Sequence, residues 1–164
     1  MIAKIILLIT TVSLALADIG IKTFIESNFK RGEEKSILNG KVQIRKVYNQ
    51  GMALNVMDDK PETVKEISCL MCVVLFFYYI VILFRKGHLV EKIALSFMNA
   101  GAWSNTYDRW LRGYVIDYVG FKTKSENFNR VTFNIGDFYI IFGSVLALIS
   151  SILPSNRKEN SNDS

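Results

Sequence analysis

Residues 67–84 read ISCLMCVVLFFYYIVILF, eighteen residues without one charged side chain. As a helix this stretch rises about 27 Å, close to the roughly 30 Å hydrocarbon thickness of a bilayer. An uncharged apolar run of that length is read as a membrane span, and this reading sets the terms for the rest of the chain. Half of the 164 residues are hydrophobic and the mean hydropathy is +0.22, too apolar for an ordinary soluble domain of this size. The length fits a single domain over residues 1–164.

Working outward from Ile67–Phe84, three more segments have the length and character of spans. The first covers about residues 2–21, IAKIILLITTVSLALADIGI. The third covers about residues 90–111 and carries polar residues late, and the fourth covers about residues 133–153 and carries one acid early. The predicted fold class is therefore an all-α membrane protein with four transmembrane helices. Residues 23–66 form a long loop of mixed charge, in which KVQIRKV (41–47) alternates as a short strand does, giving a small β element. Residues 85–92 form a short basic turn, residues 112–132 a second exposed connection, and the polar tail 154–164 is expected to be disordered. The first segment has a rival reading. Lys4, an apolar run and Ala15-Leu16-Ala17 ahead of Asp18 resemble a cleavable secretory signal. The three later apolar segments, and Lys22 four residues beyond Asp18, favour an uncleaved helix.

Charge and composition exclude several classes of function. The net charge of +5 comes from basic residues beside long apolar runs, which points to orientation in a membrane and not to nucleic acid. The two cysteines, Cys69 and Cys72, lie inside an apolar run, and His88 is the single histidine, so disulfide, zinc and Ser-His-Asp chemistry lack material. Neither a metal nor another cofactor is expected. Arg85, Lys86 and Lys92 in the short turn, Arg157 and Lys158 in the tail and Lys4 place both termini in the cytoplasm.

With that orientation the polar residues of three segments arrive at one depth. Asp18 and Lys22 end the first, Asn105, Asp108 and Arg109 end the third, and Asn134 and Asp137 begin the fourth, all near the extracytoplasmic face. Ionisable residues in membrane segments are costly and are functional candidates for that reason. Gly101, Asn105 and Asp108 follow i, i+4, i+7 spacing and share a helix face, and small residues around Gly101 allow a neighbouring helix close approach. Asp108 and Asp137 are expected to face one another. Two adjacent carboxylates share a proton, one acting as acid and one as base, which suits hydrolysis of a peptide bond without metal or histidine. Blander readings are an i, i+4 ion pair for Asp18–Lys22, an interfacial cluster for Asp108–Arg109, and a small transporter or proton relay for the whole. A relay places its charges near the midplane, often in repeated halves, and no repeat is visible. A third reading is a non-catalytic assembly or lipid-binding protein, which would tolerate loss of either acid.

The chain also resembles the lipoprotein signal peptidase, or signal peptidase II, family over nearly its whole length. The resemblance rests on Asp18-Ile19-Gly20-Ile21-Lys22, on Tyr48-Asn49-Gln50-Gly51-Met52-Ala53-Leu54, on AGAWSNTYDRWLRGYVIDY (100–118) and on Phe133-Asn134-Ile135-Gly136-Asp137. It departs at Ile19, commonly glutamine in the family, at Ser104, commonly glycine, and at Gln50, commonly a smaller residue. The resemblance implies an aspartic endopeptidase of the bacterial cytoplasmic membrane, cleaving prolipoproteins before a diacylglyceryl-modified cysteine, with Asp108 and Asp137 catalytic. It further implies that Asn105, Arg109 and Asn134 line or brace the site, that Asp18, Lys22 and Asn49 support it, and that Gly113 and Asp117 shape the connection after the third segment. The expected partners are lipid-modified prolipoproteins and membrane lipids, with the chain acting as a monomer. The loop 23–66 is expected to cover the site.

Overall fold

The computed structural model describes residues 1–52 and 56–152. Ala53 and Leu54 of the loop motif, and the tail from residue 153, lie outside the described residues. The elements in chain order are α1 (Ile2–Asn28), β1 (Glu34–Ile37), β2 (Val42–Asn49), α2 (Pro61–Phe84), α3 (Leu89–Arg112), β3 (Val115–Phe121), the single turn α4 (Glu126–Asn129), β4 (Thr132–Phe133) and α5 (Ile135–Ile152).

Three of these helices, α1, α2 and α5, are long and apolar enough to cross a membrane. The long helix α3 is not apolar enough by the same measure, and its position explains why. It packs against α1, α2 and α5, most extensively against α5. Asn99, Ser104 and Asp108 are wholly buried there, and Asn105 and Thr106 nearly so. A helix enclosed by three others meets side chains instead of lipid, so it carries polar residues at the interfaces without exposing them to hydrocarbon. Gly101 makes the α3–α5 approach possible: a Cβ there would overlap the Gly136 carbonyl oxygen and lie 2.8 Å from Ile140 Cγ1. Farther along the bundle the hydroxyl of Tyr79 meets Ser96 Oγ at 2.7 Å and Thr11 Oγ1 at 3.3 Å, joining α2, α3 and α1.

Helix α1 runs past Ile21 to Asn28 because its buried face continues. Asp18, Lys22, Ile25 and the capping residue Phe29 recur at helical spacing, and Ile25 and Phe29 pack with Ile116 and Tyr118 of β3. Helix α2 begins six residues before Ile67, with Pro61 in its first turn, where the missing N–H costs nothing, and Glu62 beside it. The strands form one antiparallel sheet in the order β1-β2-β3-β4, with a register shift between Ile44 and Val47. The sheet is larger than the strand read from KVQIRKV, because part of the 112–132 connection is not exposed. Val115, Ile116, Asp117 and Tyr118 are buried, the even-numbered pair against α1 and the odd-numbered pair towards a cavity.

Candidate active site

Asn134 and Asp137 form a reciprocal helix cap at the start of α5. Asp137 N donates to Asn134 Oδ1 at 2.9 Å, and Asn134 N donates to Asp137 Oδ2 at 3.0 Å. This is a capping box in which aspartate takes the usual glutamate position. Both side chains also reach away from the helix. Asn134 Nδ2 donates to Asp117 Oδ1 at 2.7 Å, and Asp137 Oδ1 accepts from Asn105 Nδ2 at 2.8 Å. The second oxygen of Asp117 accepts from Asn49 Nδ2 at 3.0 Å. Three asparagines from β2, α3 and the α5 cap therefore hold two carboxylates, Asp117 and Asp137, with every carboxylate oxygen bonded.

The two acids line one cavity of about 520 Å³. Its walls are mostly aliphatic and come from α2, α3 and α5, including Ile67, Met71, Leu75, Met98 and Ile140. Asn49, Asn105 and Arg109 stand with the acids on its polar side. Burial, and then the charge of Asp137, raise the Asp117 carboxyl from the usual range to about 7. Arg109 donates to the Gly51 carbonyl oxygen at 2.9 Å and so ties the loop after β2 to α3, while its Nε is buried without a partner among the described residues.

Asp108 lies elsewhere than expected. It does not line the cavity, is wholly buried, and is paired with Arg112 one turn on and with Lys22 at 3.7 Å. Its Oδ2 accepts from Ile116 N at 3.2 Å, which fixes the chain as it leaves α3 and enters β3. Gly113 allows that turn with φ of 80°, in the left-handed region that glycine occupies without strain. The spacing that put Asp108 on the face of Gly101 and Asn105 was right for those two and failed at the third. Gly101 meets α5 and Asn105 meets Asp137, whereas Asp108 turns to α1 and to the start of β3.

Asp18 and Lys22 form a wholly buried pair at 2.8 Å. Lys22 Nζ also donates to Ser104 Oγ at 3.0 Å and to Asn105 Oδ1 at 2.7 Å. The second bond orients the Asn105 amide so that its NH₂ group faces Asp137. Ser104 donates to Asp18 Oδ2 at 2.6 Å, and the Tyr118 hydroxyl donates to Asp18 Oδ1 at 3.1 Å while accepting from Ile135 N at 3.2 Å. Of the residues expected at the site, Asn49, Asn105, Arg109, Asn134 and Asp137 meet there, Asp18 and Lys22 stand behind it, Gly101 brings α5 close enough to form it, and Asp108 anchors the strand that brings Asp117. Asp117 was expected only to shape a connection. The signal for the strand that carries it was Val115–Val119, a β-branched and aromatic run interrupted only by Asp117.

Comparison with known proteins identifies the family. Residues 10–153 match the family described as signal peptidase (SPase) II. A lipoprotein signal peptidase of Fusobacterium nucleatum is 28% identical over 137 residues, covering 84% of this chain and 80% of that one. A lipoprotein signal peptidase of Staphylococcus carnosus is 26% identical over 154 residues, 94% of each chain. The fold is shared with a bacterial membrane enzyme solved by the in meso method at 2.3 Å resolution, with a TM-score of 0.79 at 21% identity over 96% of this chain and 94% of that one. With most of its length matched and two aspartates lining a mostly apolar cavity, the chain belongs to the signal peptidase II family of aspartic-type membrane peptidases.

Proposed function

We propose that this protein cleaves prolipoproteins immediately before a diacylglyceryl-modified cysteine, and that Asp117 and Asp137 are the reacting acids. The observation that carries the reading is the pair itself: two carboxylates held by three asparagines, lining a cavity whose other walls are aliphatic. The apolar signal segment and the lipid chains match those walls, and the scissile bond comes to the acids. The raised Asp117 carboxyl supports a pair that holds one proton between them near neutrality. The ionised member takes a proton from water, and the water oxygen attacks the scissile carbonyl carbon. The other member gives its proton to the leaving nitrogen as the C–N bond breaks. The products are a signal peptide ending in a carboxylate and a mature chain beginning with the amine of the modified cysteine. No metal is required for this sequence of steps.

The same reading makes α3 the fourth membrane-crossing helix, enclosed by α1, α2 and α5, with the carboxylates and the sheet on the extracytoplasmic side and both termini in the cytoplasm. Asn49 on Asp117 and Met52 in the cavity wall support a covering role for the 23–66 loop. The test uses purified protein in detergent with a synthetic diacylglyceryl prolipopeptide and mass spectrometry of the products. One cut before the modified cysteine, unaffected by chelator and absent from the unlipidated peptide, is expected. A folded protein that leaves the lipidated peptide whole contradicts the proposal.

A further inference from the structure

A second pocket, of about 310 Å³, lies against Asp117. It shares Asn49, Asp117, Val131 and Thr132 with the apolar cavity, but its remaining residues are Val47, Asn127 and Arg130, and none of its residues comes from the four long helices. Asp117 thus stands where an apolar cavity within the bundle meets a polar pocket within the sheet and its loop. A pocket of this volume is roughly 8 Å across if taken as a sphere, which is two or three residues of extended chain.

Arg130 is presented in this pocket by a braced turn. Arg45 of β2 donates from its Nη2 to the carbonyl oxygens of Asn129 at 2.9 Å and Val131 at 3.0 Å, the two residues flanking Arg130, and from its Nε to Thr132 Oγ1 at 2.8 Å. The Asn129 side chain accepts from Thr123 N at 2.6 Å and donates to Thr123 O at 3.0 Å, closing the other side of the turn. The backbone at residue 130 is therefore fixed, while the Arg130 side chain is exposed and takes part in no ion pair among the described residues. Apart from Asp117 it is the one charged residue lining the pocket among the described residues.

We infer that this pocket receives the polypeptide that follows the scissile bond, and that Arg130 favours substrates with an acidic residue two or three positions after the modified cysteine. The inference rests on the peptidase reading above. With the apolar signal segment in the bundle cavity and the carbonyl at the acids, the mature-side chain has the polar pocket as its continuation. Arg130 then lies within reach of its second or third residue. An exposed ion pair is weak because solvent screens it. Attraction of Asp together with repulsion of Lys therefore gives roughly a fivefold difference in kcat/KM at low salt, shrinking as salt rises.

The experiment compares three diacylglyceryl prolipopeptides that differ only in carrying Asp, Ser or Lys at those positions. Wild type is expected to rank them Asp, Ser, Lys. Arg130→Glu is expected to invert the Asp-to-Lys ratio, Arg130→Gln to bring it near one, and Lys41→Glu, an exposed charge change in the turn between β1 and β2, to leave the wild-type ratio. Equal rates for the Asp and Lys substrates in wild type, or a ratio untouched by both Arg130 variants, overturn the subsite while leaving the peptidase reading intact. Failure of wild type to cut any of the three overturns that reading and the subsite with it.

Discussion

The amide of Asn105 connects two parts of the site: its oxygen accepts from Lys22 and its nitrogen donates to Asp137. Lys22 therefore acts on Asp137 at one remove, by setting which end of the amide faces the carboxylate. Replacing Asn105 by Leu keeps the approximate shape and removes both bonds. A buried hydrogen bond to a charged group contributes about 1.5–3 kcal/mol. Asn105→Leu is expected to lower kcat roughly ten- to hundredfold with little change in KM, as read by steady-state kinetics. The Asp117–Asp137 pair makes a separate prediction about pH. At low pH both acids are protonated and no base remains; at high pH both are ionised and no acid remains. Because burial and Asp137 hold the Asp117 carboxyl up near neutrality, the alkaline limb of the kcat/KM profile is expected around pH 7 or above, far from the ordinary carboxylate range. An alkaline limb near pH 4 contradicts the shared proton. At this scale most of the site was legible, since Asn49, Asn105, Arg109, Asn134 and Asp137 all come together. In the proposed assignment Asp117 takes the reacting role that the sequence reading gave to Asp108. A helix periodicity reports a face and does not say which neighbour that face meets, and Arg112, one turn past Asp108, neutralises it from a position the spacing argument left out.

Among the elements, α3 and β3 determine whether the site forms. The length of α3 was readable and its polarity was not, because hydropathy reports what a helix contains and not what surrounds it. The same limit hid β3: five of its seven residues, in a stretch taken as exposed, are buried, with the extended end of α1 covering one face. The close α3–α5 contact is testable. Gly101→Leu forces a side chain into the Gly136 carbonyl and Ile140, and overpacking of this kind costs about 1–3 kcal/mol or more. Thermal unfolding in detergent is expected to shift down strongly for Gly101→Leu. Gly20→Leu, at an exposed helical position with no atom within 4 Å of the added Cβ, is expected not to lower it, since leucine is the better helix former.

For the whole molecule, the buried acids collect at one end of a bundle whose outer surface is apolar. Asp18, Lys22, Asp108 and Asp137 reach that end from three helices, and the sheet closes over them from the connections. The proposed topology of four crossing helices puts the sheet and the 85–88 turn on opposite sides of the membrane. In a variant without Cys69 and Cys72, Lys41→Cys is expected to react with an impermeant maleimide in intact cells, and Lys86→Cys only after permeabilisation. Labelling of both positions from outside contradicts the four-helix topology.

The central claim is that Asp117 and Asp137 react while Asp108 holds the strand that carries Asp117. The most direct measurement is single-turnover cleavage of a diacylglyceryl prolipopeptide by wild type, Asp108→Asn, Asp117→Asn and Asp137→Asn, each with its unfolding temperature. Loss of an essential acid or base costs about 10²–10⁴-fold. The prediction is a loss of at least that order for Asp117→Asn and Asp137→Asn without a fall in unfolding temperature. For Asp108→Asn the prediction is measurable residual cleavage with a clear fall in stability, because Lys22 and Arg112 lose a buried partner. A well-folded Asp117→Asn protein that cleaves at close to the wild-type rate, beside an equally well-folded Asp108→Asn protein that does not cleave, would contradict the account.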